Sequence, residues 1–291
     1  MITVESLQKT YGAQVAVKDV KFSVKPGTIV GFVGPNGSGK STTLRMIAGL
    51  EKPDSGRCLI DGVQAGHLES PWSRMGTLLD RQGVNGELTA LRALLALGSA
   101  YNVPRSQLDK TLDMVGLTHA GSRRVKTFSL GMKQRLNLAL ALIAHPDYLI
   151  LDEPMNGLDP DGIIWLREFF QRYRDEGGGI LLSSHTLAEV EVIADEVVVI
   201  KGGSTIWSGN MTDFHAQEGS AVSTTDDNRL SAVLTAKGYK HATDCDGVIH
   251  VADADPKALG RLLHAENFVV THLSQSRSSL EQLYLSLNET K

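Results

Sequence analysis

The segment from residue 34 to residue 41, GPNGSGKS, constrains this chain more than any other stretch. It fits the pattern G-x-x-x-x-G-K-[ST], and it lies between the β-branched run TIVGFV and the segment STTLRMIAG, which reads as a helix. Glycines let the backbone turn its N–H groups inward, and the helix N-terminus adds about half a positive charge. The sequence therefore predicts a strand, a phosphate-binding loop and a helix in that order.

The loop supplies candidate ligands for a nucleotide and its metal ion. Lys40 is expected to reach the β- and γ-phosphates, and Ser41 to place its hydroxyl on Mg²⁺. Tyr11 lies in a predicted loop between two strands, where it is either a stacking platform for a purine or an ordinary surface tyrosine. Besides Tyr11, the predicted nucleotide-binding residues are those of the loop and its first helical turn: Gly34, Pro35, Asn36, Gly37, Ser38, Gly39, Lys40, Ser41 and Thr42.

Composition is that of an ordinary soluble globular protein, with 42% hydrophobic and 21% charged residues in a chain of 291. The net charge of −4 gives no reason to expect a nucleic-acid partner. Cys58 and Cys245 match no metal-binding spacing and are expected to be reduced thiols of a cytosolic protein. We find neither a signal peptide nor an apolar run of about 18 residues, so we expect no membrane crossing by this chain itself.

The pattern of strands and helices predicts an α/β fold. Residues 2 to 33 alternate in the manner of antiparallel strands, whereas DYLILDEP, GILLSSH and VVVIKGG are apolar strands of a buried parallel sheet. Helical leucine spacing indicates a helical subdomain inserted at about 80–135. The composition changes near residue 210, so we predict a core domain at 1–210 and a small α+β domain at 211–291. A ferredoxin-like arrangement is one candidate for the latter.

Two apolar strands end in side chains suited to phosphate chemistry. Asp152 and Glu153 follow one strand, and His185 follows another. Ligands of parallel sheets bind at the carboxyl ends of the strands, so these side chains are expected to face the nucleotide. Asp152 can hold Mg²⁺ opposite Ser41, Glu153 can polarise the attacking water, and His185 can bond the γ-phosphate.

Together these residues resemble the ATP-binding subunit of an ABC transporter, over residues 1 to about 210. GPNGSGKS is similar to the Walker A loop, LILDEP to Walker B, FSLGM to the signature written L-S-G-G-Q, and GLDP to the D-loop. The resemblance implies a P-loop NTPase core of the RecA type, with ATP and Mg²⁺ as cofactors. It makes Glu153 the catalytic glutamate, His185 the switch histidine and Tyr11 the aromatic that stacks on adenine.

The signature departs from the family pattern at two positions. Leu130 replaces the first glycine and Met132 replaces the glutamine, whereas Ser129 and Gly131 are retained. The resemblance implies that Ser129 and Gly131 touch the γ-phosphate held by a partner copy. Asp159 of the D-loop is included in the nucleotide-binding set on the same basis.

The Q-loop, which the family uses to sense the metal, also departs from the family pattern. The position expected to hold glutamine is Asp80, and a glutamine follows two residues later as Gln82. We take Asp80 as the positional match and as a third candidate metal ligand.

The resemblance implies that each copy carries half of two ATP sites. Two ATP-binding subunits, either identical or paralogous, would then pair head to tail around ATP. Transport would pass through separate integral membrane permeases, with this chain at the cytoplasmic face of the cell membrane. The signature and the small C-terminal unit favour the subgroup that exports drugs, peptide antibiotics or other amphiphiles.

Other functions fit the sequence less well. A soluble ABC ATPase acting on the ribosome or on DNA would usually carry two ATPase units or a long coiled coil, and this chain has one unit and no sustained heptads. A P-loop GTPase or kinase would leave FSLGM unexplained, and the guanine-reading motif N-K-x-D is missing. A binding module without catalysis would not need Glu153 and His185.

Overall fold

A computed structural model describes residues 1–79, 84–212, 219–243, 247–276 and 280 of the chain. The chain divides into two compact units, Met1–Ser208 and Gly209–Lys291.

The first unit begins with the predicted antiparallel strands. In order across the sheet these are β4 (Ser55–Ile60), β1 (Ile2–Tyr11) and β2 (Gln14–Val24). β1 pairs with both neighbours in antiparallel register. The buried side chains Ile2, Val4 and Leu7 pack in one core with apolar residues of the helix that follows the glycine loop.

A parallel sheet forms the centre of the first unit. Its strands follow the order β8-β3-β7-β6-β5 and pair in parallel along their lengths. Every residue of β3 and β7 is buried, as expected for strands covered on both faces. β9 joins this sheet to β2, so nine strands form one continuous sheet. The bounds are β3 (Ile29–Val33), β5 (Met75–Leu78), β6 (Tyr148–Asp152), β7 (Gly179–Ser184), β8 (Glu196–Lys201) and β9 (Ser204–Asn210).

Seven α-helices lie in the described part of the first unit. They are α1 (Lys40–Ile47), α2 (Pro71–Arg74), α3 (Ala90–Ala100), α4 (Arg105–Met114), α5 (Leu130–Leu142), α6 (Pro160–Asp175) and α7 (Leu187–Ile193). α3, α4 and α5 pack against one another. All three lie between β5 and β6 in the sequence, where the helical insertion is predicted. α5 also packs on β5, and Leu136, Leu138 and Leu142 are all buried, whereas Leu140 is half-buried.

The second unit has the element order β-α-β-β-α-β, which is that of ferredoxin-like units. Its four strands are antiparallel in the order β11-β12-β10-β13. Val222, Leu230, Ile249 and Leu259 belong to a separate hydrophobic core. Of the C-terminal segment SLEQLYLSL, only Leu280 lies within the described residues. The bounds are β10 (Gly219–Thr224), α8 (Asp227–Ala236), β11 (His241–Thr243), β12 (Ile249–Val251), α9 (Pro256–Ala265) and β13 (Val270–Ser276).

None of the helices in the described residues combines the length and the hydropathy needed to cross a bilayer.

The contact between β5 and α5 predicts a position that tolerates only glycine. A Cβ on Gly76 would lie 2.2 Å from the carbonyl oxygen of Ala141. Gly76→Ala should therefore lower the free energy of unfolding, measured by urea titration, by about 1–3 kcal/mol. Gly66→Ala is the matched control, because a Cβ there meets no atom within 4 Å. Equal losses for the two variants would contradict the packing described.

Candidate functional site

The glycine loop follows β3 and is enclosed too tightly for side chains at two positions. A Cβ on Gly34 would lie 2.3 Å from the carbonyl oxygen of Ile200, and one on Gly39 would lie 2.5 Å from that of Ala16. Gly39 also has φ 102°, in the region that favours glycine. The loop thus turns directly into α1, with Gly39 as the residue before the first helical turn.

Lys40 points back over the loop that precedes it. Only 6% of the residue is exposed, and its Nζ donates to the carbonyl oxygens of Gly34 at 2.7 Å and Pro35 at 3.2 Å. Burial lowers the pKa of the Lys40 ammonium, while the carboxylates of Glu153 and Asp152 act to raise it. The ammonium therefore lies between backbone carbonyls and two acids at the mouth of the loop.

The residues of the loop fit a phosphate group. Ser38 Oγ is buried and finds no hydrogen-bond partner among the described residues, an arrangement that is rare in folded proteins. A cavity of about 290 Å³ borders the loop, and its lining includes Tyr11, Asn36, Lys40 and Thr42. Tyr11, 46% exposed, thus shares one cavity with the glycine loop, as the stacking hypothesis requires.

One buried hydroxyl holds the two acids at the end of β6. Ser183 of β7 lies opposite Asp152 in the parallel register. Its Oγ donates to Asp152 Oδ1 and accepts a hydrogen bond from the backbone N–H of Glu153 at 3.0 Å. Ser183 is completely buried, so the position of both acids depends on this side chain.

Glu153 has an unusual backbone conformation. Its φ of 51° is rare for a residue with a side chain, and such strain persists only where the surroundings hold it. Its Oε2 lies 2.5 Å from His185 Nδ1 and accepts a hydrogen bond from Asn156 Nδ2 at 3.3 Å. Two side chains thus hold one carboxylate oxygen.

The acids and the loop border a common space. A second cavity of about 400 Å³ is lined by side chains from three strand ends and the loop, among them Ser41, Asp152, Glu153 and His185. The predicted catalytic and metal-binding residues are therefore neighbours, apart from Asp80. Asp80 and Gln82 lie outside the described residues. Within the described ranges, no group of three or more His, Cys, Asp or Glu residues could bind a metal by itself.

The remaining predicted residues lie elsewhere in the chain. Ser129 caps α5 by accepting from the N–H of Met132 at 3.2 Å, and Asp159 caps α6 by accepting from that of Gly162 at 2.9 Å. Neither of them, nor Gly131, lines the two cavities described. One copy therefore does not bring them to its own glycine loop.

Two residues of the site, Ser183 and Asn156, are missed by reasoning from the sequence. Ser183 could have been found from its position two residues before His185, which places it inside the same strand. Asn156 follows the strand in a turn, and no local pattern marks it as a partner of Glu153.

The family model described as ABC transporter matches residues 17–156, and a domain of unknown function matches residues 220–281. The bacitracin transport ATP-binding protein BcrA of Enterococcus faecalis is 33% identical over 297 residues, covering 99% of this chain and 96% of that protein. The chain belongs to the ABC transporter family. It is an ATPase, the ATP-binding motor subunit of a membrane transporter.

Solved structures agree with this family. An ATP-binding subunit of an ABC transporter is 27% identical and matches with a TM-score of 0.69, covering 99% of this chain and all of the other. A bacterial ABC transporter cassette solved as a dimer is 25% identical, with a TM-score of 0.65, and covers 72% of this chain and 99% of the cassette. The predicted P-loop NTPase fold is confirmed.

The role of Ser183 predicts a measurable defect. Ser183→Ala would leave the N–H of Glu153 without its partner, so the free energy of unfolding should fall by about 1–3 kcal/mol. The same variant should weaken Mg²⁺-dependent ATP binding, measured by calorimetry. Ser184→Ala is the matched control for ATP binding, because the Ser184 hydroxyl bonds Thr186 and Glu189 rather than Asp152 or Glu153. An equal loss of ATP binding in the two variants would contradict the assigned role.

Proposed function

We propose that this chain hydrolyses ATP to drive the export of peptide antibiotics or similar amphiphiles through separate membrane subunits. One observation carries the proposal: Lys40, Ser41, Asp152, Glu153 and His185 meet on adjoining cavities at one edge of the sheet. The substrate class rests on BcrA, a bacitracin transport protein that is similar along the whole chain. Residues 1–210 would be the ATP-binding domain and 211–291 an accessory domain. The subunit would lie at the cytoplasmic face of the membrane, held there by its permease.

The loop would bind the triphosphate by exchanging partners. Lys40 would leave the carbonyl oxygens of Gly34 and Pro35 for phosphate oxygens, and Ser38 Oγ would gain the partner that it lacks in the protein. The backbone N–H groups at the start of α1 would complete the anion site. Tyr11 would stack on the adenine from the other side of the cavity.

Mg²⁺ would be held by Ser41 and Asp152, with Asp80 as a further candidate. Two protein ligands suit this ion, because it keeps several waters and uses phosphate oxygens for the remaining positions. The ion would supply positive charge to neutralise the phosphates. Ser183, which bonds Asp152, would keep its carboxylate turned toward the hydroxyl of Ser41.

Glu153 would act as the general base that accepts the proton of the attacking water. His185 Nδ1–H would donate to Oε2, and Asn156 would donate to the same oxygen. The other oxygen, Oε1, would then be the one that accepts the proton. The strained backbone of Glu153 is what allows consecutive residues, Asp152 and Glu153, to face one cavity.

A second copy would complete each site. Ser129, Gly131 and Asp159 are the predicted nucleotide-binding residues that do not reach the loop of their own chain. A head-to-tail pair would bring them to the loop of the partner, as their place in the family motifs implies. The dimeric relative supports such a pair, and the net charge of −4 gives no support to a nucleic-acid partner.

Glu153→Gln should bind ATP but not hydrolyse it, because the amide cannot accept the proton. The variant should then accumulate as an ATP-bound dimer, measured by size-exclusion chromatography with light scattering. Wild-type chain in ADP is the control and should remain monomeric. Hydrolysis by the variant at the wild-type rate would show that Glu153 is not the base.

The export proposal is tested in cells. A bacitracin-sensitive bacterium that expresses the chain together with its membrane subunits should tolerate several-fold more bacitracin than one expressing Lys40→Ala. The lysine variant is the control because it lacks the ammonium that would contact the phosphates. If the wild-type chain hydrolyses ATP, but cells expressing it and cells expressing Lys40→Ala are inhibited by equal concentrations of bacitracin and of other amphiphilic antibiotics, export of this class is contradicted.

A further inference from the structure

We propose that Leu130 and Gln134 of α5 are positioning residues that set the orientation of Glu153 through segment 154–158. The inference rests on the proposed role of Glu153 as the base. It concerns a contact within one chain, between the signature helix and the turn that follows the catalytic strand.

Gln134 ties the helix to the backbone next to Glu153. Its Nε2 donates to the carbonyl oxygen of Pro154 at 2.8 Å in a partly buried contact. Gln134 lies one helical turn after Leu130, so both side chains belong to the same end of α5. A side-chain amide thus holds the peptide that immediately follows the proposed base.

Leu130 and Gly157 are fitted to each other. A Cβ on Gly157 would lie 2.9 Å from Leu130 Cδ2, and Gly157 has φ 78°. Leu130 stands where the family signature usually has glycine, and it is 56% exposed although this contact covers part of it. The unusual leucine therefore occupies space that is open only because residue 157 has no side chain.

The other side of segment 154–158 is not tightly packed. A cavity of about 140 Å³ lies there, and its lining includes Met155, Leu158 and His185. A segment with a cavity behind it has room to shift, so its position depends on the contacts that α5 provides.

A shift of segment 154–158 would change the orientation of the Glu153 carboxylate. Asn156 lies inside it and donates to Glu153 Oε2 at 3.3 Å. The strained φ of Glu153 needs such external support. Because α5 begins directly after Ser129, displacement of this helix end by a partner's nucleotide would reach the base through Gln134, Leu130 and Asn156. Turnover in one site would thereby depend on occupancy of the other.

Gln134→Met tests the hydrogen bond with a side chain of similar length that cannot donate. We expect kcat for ATP to fall roughly tenfold, because loss of the bond to Pro154 would leave Glu153 less well positioned in the transition state, and KM to stay within about twofold. KM should hold because Gln134 lines neither cavity of the glycine loop. An unchanged kcat, or a loss that appears in KM alone, would overturn the role of Gln134.

A double-mutant cycle tests the fitted pair. Gly157→Ala should lower kcat by displacing Leu130, and Leu130→Gly should raise kcat in that variant while lowering it in the wild type. Gly62→Ala is the matched control, since φ at Gly62 is 84° and a Cβ there meets no atom within 4 Å. This control should lose stability without losing kcat. Additive effects of the two substitutions would overturn the inference for Leu130.

Measurement of Glu153→Gln in the same series separates the two proposals. If that variant is inactive while Gln134→Met and the cycle show no effect, this inference fails and the proposed function stands. If Glu153→Gln hydrolyses ATP normally, the role of Glu153 as the base and this inference both fail, because no base remains for α5 to position, whereas ATP hydrolysis by the chain stands.

Discussion

The parallel register of β3, β7 and β6 is the constraint on which the site depends. Val33 pairs with Ser184, and Ser183 pairs with Asp152, so three strands end at the same level of one sheet edge. The glycine loop, the acids and His185 follow these ends directly and must therefore be neighbours. Breaking this register would separate the glycine loop from Glu153 even if every motif remained in the sequence.

The sequence predicts the motifs and the order of elements well, because glycine patterns and apolar strands are encoded locally. It gives no access to contacts set by register or by packing between distant segments. The bond of Ser183 to Asp152 needs the pairing of β6 with β7, and that of Gln134 to Pro154 needs the docking of α5. The choice between Asp80 and Gln82 lies outside the described residues and stays a prediction.

Two of the predicted nucleotide ligands have a structural task in their own chain. The Ser129 and Asp159 side chains each accept an N–H bond at the start of a helix, α5 and α6 respectively. Capping fixes where each helix begins and therefore where its free N–H groups point. In the proposed head-to-tail pair, this arrangement would present a prepared surface to the phosphate held by the partner.

The shared site is tested most directly by mixing two inactive variants. Lys40→Ala lacks the phosphate-binding ammonium but keeps its signature, whereas Ser129→Glu keeps its loop and presents a repelling carboxylate to the partner's phosphate. A mixed dimer should contain one intact site, formed by the loop of the second variant and the signature of the first. The account predicts that ATP hydrolysis by the mixture clearly exceeds the sum of the separate activities. A mixture no more active than that sum would contradict a site built from two copies.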